Sequence, residues 1–254
     1  MSEQSILKEG LRSKRHQAFR QARHSPKDGA PCPHWAAGLP GQGNAASKLF
    51  HCNSLPTRGG RLSYIHSYIQ AVVDLLVQLP EEPIREVTAA MRTAYLDGKQ
   101  FFAMGNGGSA ATASHIANDF QKCIPEVGGR PCRAMSLTDA GPLIMAWAND
   151  SDYADVFAEQ LRTWVQPGDI VIGISGSGNS ENVIRAINLA NAVGAITVGL
   201  SGYDGGRLRD GARYSIHVPV YNMQQAEDLH MVLAHLLFSS LRESLKADAG
   251  NSGG

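Results

Sequence analysis

A loop of small and hydroxyl-bearing residues, SGSGNS at residues 175–180, lies between an apolar segment and a helix-like segment. At the start of a helix, free main-chain N–H groups and the positive end of the helix dipole attract an anion, and serine hydroxyls add donors. No lysine follows at the spacing of a nucleotide triphosphate loop. The pattern therefore predicts a site for the phosphate of a sugar monophosphate. The alternative is a glycine turn in which a serine only caps the helix.

A second glycine-rich loop, GNGGSA at residues 105–110, formally matches the G-x-G-x-x-A pattern of dinucleotide-binding proteins. Those proteins also need an acidic residue at the end of the next strand, which corresponds to a position near 130. Arg130 and Arg133 stand there instead. We therefore expect no nucleotide cofactor.

His115 and Asp119 follow the second loop four residues apart, so they share one face of a predicted helix. This spacing suits two ligands of one metal ion or a histidine–carboxylate pair. On its own, this spacing is more often that of a capping or solvated pair with no chemical role.

The last predicted helix carries three further candidates, Glu227, His230 and His235. Glu227 and His235 lie about 80° apart around an ideal helix and about 12 Å apart along it. Glu227 and His230 form an easier pair, unless Glu227 belongs to a non-helical lead-in. The residues alone do not choose between His230 and His235.

Five short apolar segments form the framework for these residues: KQFFAM, CRAMSL, DIVIGIS, AITVGLS and YSIHVPV. Helix-like segments separate them. This alternation predicts an α/β fold, with a five-stranded parallel sheet flanked by helices in three layers. Ligands bind beyond the carboxyl ends of the strands in such sheets, and both glycine-rich loops fall there.

Two helix-like segments precede the first strand. Ile65, Ile69 and Val73 recur at helical spacing in the first segment, which Pro80 ends, and Gly98 closes the second. The apolar faces fit packing either on a partner subunit or on the core of the same chain.

Charge divides the 254-residue chain into unlike parts. Residues 1–60 hold nine basic and three acidic residues and are rich in glycine and proline, which predicts a basic, disordered extension. Residues 61–246 are predicted to form one domain, and 247–254 a flexible tail. The rest of the chain, with fourteen basic and twenty acidic residues, does not fit a uniformly basic nucleic-acid binder.

The arginine-rich, acid-poor first sixty residues leave an organelle transit peptide as an alternative, although proline and glycine interrupt any amphipathic helix there. There is no run of about 18 apolar residues, and the first residues lack the apolar core of a signal peptide. We therefore expect a cytoplasmic protein without a membrane partner.

Cys32, His34, His51 and Cys52 have zinc-ligand side chains, but a loose tail that happens to contain them is the simpler interpretation.

Together the motifs resemble those of the sugar isomerase (SIS) domain and, within it, the phosphoheptose isomerase family. The resemblance covers about residues 62–245 and is carried by GNGGSAATASHIAND, WAND, GISGSGNSENVIRAI, GYDGG and AEDLHMVLAHLL. It implies a homotetramer in which the N-terminal helices join subunits and the active sites lie at the interfaces.

The resemblance also implies roles for individual residues. Those that would bind the substrate are Asn106, Gly107, Gly108, Ser109, Asn149, Asp150, Ser175, Gly176, Ser177 and Ser180. Those that would hold one Zn²⁺ are His115, Asp119, Glu227 and His235, and Asp119, Glu227 and His235 would also be catalytic.

Two positions depart from the family pattern. Asp119 stands where a glutamate is usual, and its carboxylate reaches about 1.5 Å less far. Glu227 stands where a glutamine is usual, which makes the site more anionic. The base is therefore expected to be either Asp119 or Glu227, with His235 as its partner.

The implied activity is aldose–ketose isomerisation of a sugar phosphate by metal-assisted enediol proton transfer. The best match is conversion of sedoheptulose 7-phosphate to D-glycero-D-manno-heptose 7-phosphate. The alternative is a non-catalytic SIS module that binds a sugar phosphate or a protein partner such as a replication initiator. The ligand-type side chains at 119 and 235 favour the enzyme, and no nucleic-acid partner is expected.

Overall fold

The computed structural model describes residues 63–124 and 130–251. The predictions made for residues 1–60, including the cysteines and histidines considered there as zinc ligands, lie outside these residues.

A single sheet organises the described domain. The strands are Gln100–Gly105 (β1), Arg133–Ser136 (β2), Ile170–Ser175 (β3), Ile196–Ser201 (β4) and Tyr214–His217 (β5). Their order is β2-β1-β3-β4-β5, and every neighbouring pair is parallel. The predicted five-stranded parallel sheet is confirmed.

Helices alternate with these strands. They are Tyr64–Leu76 (α1), Glu81–Leu96 (α2), Gly108–Cys123 (α3), Gly141–Asp150 (α4), Ala158–Trp164 (α5), Glu181–Val193 (α6), Gly206–Gly211 (α7) and Met223–Asn251 (α8), with a 3₁₀ turn at Tyr153–Asp155.

Helices cover the sheet on both faces, and its three central strands, β1, β3 and β4, are almost entirely buried. All six residues of β3 are buried, as expected for a central strand of a parallel sheet. One face packs against α2, α3 and α8, where Phe101, Phe120 and Phe238 are in contact. The other face packs against α5 and α6, around residues such as Phe157. The predicted three-layer arrangement is confirmed.

The first two helices differ in how they pack. α2 buries five residues, among them Val87 and Met91, in the core. α1 has no buried residue, and Ile65 and Ile69 are 70% and 57% exposed. Val72, Leu75 and Leu76 of α1 are partly buried against the same core. Core packing therefore explains α2 and one side of α1, whereas the described residues leave the side with Ile65 and Ile69 uncovered.

The last helix is longer than its apolar pattern predicts. It begins at Met223, so Glu227 lies within the helix rather than in a non-helical lead-in. It continues to Asn251, so that residues 247–251 of the expected flexible tail are helical. No proline, and no glycine before Gly250, interrupts it.

Neither this helix nor another in the described parts is both long and apolar enough to cross a membrane.

Candidate active site

The two glycine-rich loops lie at the carboxyl edge of the sheet. The loop after β1 leads directly into α3, and the loop after β3 leads into α6. The rings of Phe120 on α3 and Phe238 on α8 lie 5.9 Å apart. This contact packs α3 against α8 and brings their polar residues together.

Three metal-type donors from these two helices converge. Nε2 of His115 lies 2.7 Å from Nε2 of His235 and 3.3 Å from Oδ2 of Asp119. Nε2 of His235 lies 3.9 Å from the same carboxylate oxygen. All three donor atoms lie within 4.8 Å of one another. We call His115, Asp119 and His235 the three-donor group.

The three-donor group fits a divalent metal ion. A tetrahedral zinc ion with Zn–N bonds of about 2.0–2.1 Å separates its ligand atoms by about 3.3 Å. The distances of 2.7, 3.3 and 3.9 Å bracket that value. The Asp119 side chain is 16% exposed and that of His235 is 52% exposed, so one side of the group is open.

Glu227 lies apart from this group. A Cβ atom added to Gly108 would fall 2.4 Å from Oε2 of Glu227, so this carboxylate lies against the first residue of α3. The positive end of the helix dipole stabilises a negative charge there. Its predicted role as a fourth metal ligand stays a prediction.

The structure separates the two candidate histidines. His235 belongs to the three-donor group, whereas His230 is fully buried on another side of α8. Neither ring nitrogen of His230 makes a hydrogen bond of ordinary geometry with another described residue, although the main chain of Ser201 lies close to the ring. Burial lowers the pKa of His230 from 6.5 to about 4; the main chain of Ser201 raises this pKa in part, and the nearby His217 lowers it.

Burial of His230 makes the protein sensitive to acid. The unfolded chain binds a proton at this residue below pH 6.5, but the folded protein does so only near pH 4. This difference stabilises the unfolded state as the pH falls, and it lowers the free energy of unfolding by about 3 kcal/mol between pH 7 and pH 4. Denaturant titrations should show a smaller acid loss for His230→Leu than for the wild type; equal losses would contradict this account.

The loop at residues 175–180, which we call the phosphate-type loop, is held in a tight conformation. Gly178 has a φ of +65°, and its N–H donates to the Ser175 carbonyl at 3.0 Å. The hydroxyls of Ser175 and Ser180 lie 3.0 Å apart, and Ser180 makes no side-chain capping bond to α6. The alternative in which a serine only caps the helix is therefore not what the structure shows for Ser180.

Gly178 is expected to be essential for this loop. A Cβ atom at this position would lie 1.9 Å from the Gly205 carbonyl oxygen, and φ is positive there. Gly178→Ala should therefore weaken binding of inorganic phosphate about tenfold or more, as measured by calorimetry. Gly141→Ala is the matched control because its added Cβ meets nothing within 4 Å. Equal affinities in both variants would contradict the placement of phosphate at this loop.

The remaining predicted substrate residues are placed as follows. Asn106 follows β1 and is half-buried, and Ser109 is buried in the first turn of α3. Asn149 and Asp150 end α4, exposed and hydrogen-bonded to each other at 2.7 Å. No hydrogen bond joins this pair to the three-donor group among the described residues.

Three residues at this edge were missed by the sequence reasoning. Asn182 and Tyr153 both hydrogen-bond to Asn106. Arg207 lies beside the phosphate-type loop, where it donates to the Asn179 carbonyl at 3.3 Å and pairs with the Glu181 carboxylate at 2.7 Å. Asn182 stands within the GNSEN motif, so its position could have drawn attention, whereas Arg207 had no signal of its own.

Comparisons with known proteins agree with this geometry. The profile of the SIS domain family matches residues 64–202. A phosphoheptose isomerase from Aquifex aeolicus is 35% identical over 183 residues, covering 72% of this chain and 89% of the relative. One from Aneurinibacillus thermoaerophilus is 34% identical over 188 residues, covering 72% and 94%.

Solved structures give the same result. A phosphoheptose isomerase from Neisseria gonorrhoeae is similar with a TM-score of 0.64 and 27% identity, covering 70% of this chain and 97% of that chain. One from Francisella tularensis has a TM-score of 0.66 and 27% identity, covering 71% and 95%. The chain therefore belongs to the phosphoheptose isomerase family of SIS domain proteins and is an isomerase.

Proposed function

We propose that the protein interconverts sedoheptulose 7-phosphate and D-glycero-D-manno-heptose 7-phosphate. The observation that carries this proposal is that α8, the helix that bears His235, lies against both glycine-rich loops, with Glu227 facing Gly108 and Met223 facing Gly176. Relatives named phosphoheptose isomerase support the substrate class.

The two glycine-rich loops divide substrate binding between them. In this proposal the phosphate is bound at the start of α6 by Ser175, Gly176, Ser177 and Ser180. The sugar is lined by Asn106, Gly107, Gly108, Ser109, Asn149 and Asp150.

The three-donor group is proposed to hold one zinc ion. Two imidazoles and a carboxylate are ligands that zinc accepts, and a catalytic zinc site keeps a further position open. A bound zinc ion would polarise the carbonyl group and stabilise negative charge on the enediolate oxygens. The open side of the group, at His235, leaves room for those oxygens.

Glu227 is proposed as the base that moves the proton between carbons. Asp119 belongs to the three-donor group, whereas the carboxylate of Glu227 lies beside Gly108 in the sugar-lining loop. From a ketose, Glu227 would take a proton from C1 and return it to C2, while the O1 proton passes to O2. Nε2 of His235 cannot hold a metal ion and a proton at the same time. Because this nitrogen lies among the three converging donors, we favour a role as metal ligand over a role in proton transfer.

The active protein is proposed to be a homotetramer with sites at subunit interfaces. The uncovered apolar side of α1 supports this, because large exposed apolar faces of helices mark interaction surfaces. Tyr68 on α1 donates to Asp228 on α8 at 2.6 Å, which ties this face to the helix that carries His235.

Ile69→Lys tests the tetramer. Placing a charge on the exposed side of α1 should shift the mass measured by light scattering toward smaller species and lower turnover. A wild-type mass of one chain, or a variant with unchanged assembly, would contradict the proposal.

Metal analysis followed by an activity panel tests the proposed function. The purified protein should contain about one zinc per chain. It should interconvert ketose and aldose forms of seven-carbon sugar phosphates faster than five- or six-carbon ones, and a chelator should abolish this. Binding without turnover on every sugar phosphate would instead favour a non-catalytic SIS module.

A further inference from the structure

A network of three side chains links the two glycine-rich loops. Nδ2 of Asn106 donates to Oδ1 of Asn182 at 2.9 Å, and Nδ2 of Asn182 donates back to Oδ1 of Asn106 at 2.9 Å. The hydroxyl of Tyr153 reaches the same Oδ1 of Asn106 at 2.8 Å. Asn182 is 3% exposed, and its amide is paired with Asn106 and with the main chain of Val183.

The orientation of each amide follows from one main-chain group. The N–H of Val183 lies 2.9 Å from the Asn182 side chain, and because a main-chain N–H only donates, the atom that faces it is Oδ1. This Oδ1 also faces Asn106, which must therefore present its NH₂ group. The other half of the pair then joins Nδ2 of Asn182 to Oδ1 of Asn106.

Counting donors and acceptors shows what Asn106 has left. Its Oδ1 accepts two hydrogen bonds, from Asn182 and Tyr153, which uses both lone pairs. One of its two N–H groups is used by Asn182. A single N–H remains, and the buried partner fixes its direction.

We infer that Asn182 and Tyr153 are positioning residues that make Asn106 a hydrogen-bond donor of fixed direction toward a sugar oxygen of the substrate. This inference rests on the proposed function, since it assumes that Asn106 lines the sugar. Asn106 then recognises a carbonyl or hydroxyl oxygen that accepts, and it rejects a group that can only donate.

The network also sets a distance. Asn182 lies in the first turn of α6, whose N-terminus forms the phosphate-type loop, whereas Asn106 lies in the loop after β1. The amide pair therefore fixes the distance between the phosphate and the sugar oxygen to which Asn106 donates a hydrogen bond. A substrate of another chain length would place its oxygen out of reach of that N–H.

A double-mutant cycle tests the inference. Asn182→Ala and Asn106→Ala should each lower kcat/KM for sedoheptulose 7-phosphate about 10- to 100-fold. The double variant should be no worse than Asn106→Ala, because Asn182 acts through Asn106. Tyr153→Phe, at an exposed ring that keeps the fold, should lower kcat/KM about threefold to tenfold.

Controls separate positioning from structure. The affinity for inorganic phosphate should stay unchanged in Asn182→Ala, because the phosphate is held by the loop at 175–180. Asn191→Ala is the matched variant, since Asn191 lies on the same helix and bonds Gly211 and Thr197 away from the site. It should lower the melting temperature but leave kcat/KM unchanged.

Two results would overturn the inference: additive losses in the double variant, or a loss of phosphate affinity in Asn182→Ala that matches its loss of kcat/KM. The same cycle is measured for calorimetric binding of sedoheptulose 7-phosphate. Coupled losses of binding in a protein without turnover would refute the proposed reaction and leave the inference standing. Turnover with additive losses would do the reverse, and a wild type that binds no sugar phosphate would refute both.

Discussion

His235→Ala is expected to lower kcat/KM about 10³-fold, because the variant removes one of the three converging donors. The bound zinc should fall in parallel. His235 lies at the open side of the group, more than half exposed, so the fold should tolerate the change and the melting temperature should remain close to that of the wild type.

Two other histidines serve as controls. His66 is exposed on α1, and His66→Ala should keep both zinc and turnover. His230 is fully buried outside the group, so His230→Leu should change stability while most activity remains. If His230→Leu removed turnover and His235→Ala did not, the assignment of the active histidine would be wrong.

Glu227→Gln is expected to keep zinc and to lower kcat about 10³-fold, because the variant removes the proposed base without changing the size of the side chain. The amide still fits beside Gly108, where the carboxylate lies. Parallel assays of zinc content and turnover therefore distinguish a base from a ligand.

Asp119→Asn is the matched variant, since it neutralises the other carboxylate. It should lose both zinc and turnover because Asp119 belongs to the three-donor group. A Glu227→Gln protein with full activity would instead leave Asp119 as the base. Loss of zinc in Glu227→Gln would restore Glu227 as a metal ligand.

The sheet, and the position of the two glycine-rich loops at its carboxyl edge, could be predicted because they depend on local patterns. Runs such as DIVIGIS allow little besides a buried parallel strand, and the loops after β1 and β3 then fall at the carboxyl edge. His115 and Asp119 share a helix, so their pairing follows from a spacing of four residues.

Contacts between distant segments could not be predicted in the same way. Which histidine of α8 reaches His115 depends on how α8 rotates against α3, and that rotation follows from contacts between distant residues such as Phe238 and Phe120. The position of Glu227 depends on the same rotation. The hydrogen bond between Asn106 and Asn182 joins residues 76 positions apart, so no local sequence pattern predicts it.

An NMR spectrum of sedoheptulose 7-phosphate incubated with the purified, zinc-loaded protein tests the proposed reaction. We expect resonances of D-glycero-D-manno-heptose 7-phosphate to appear, a chelator to prevent this, and added zinc to restore it. A ketose that remains unchanged, while its phosphorus signal shows that it binds, would refute the proposed isomerisation.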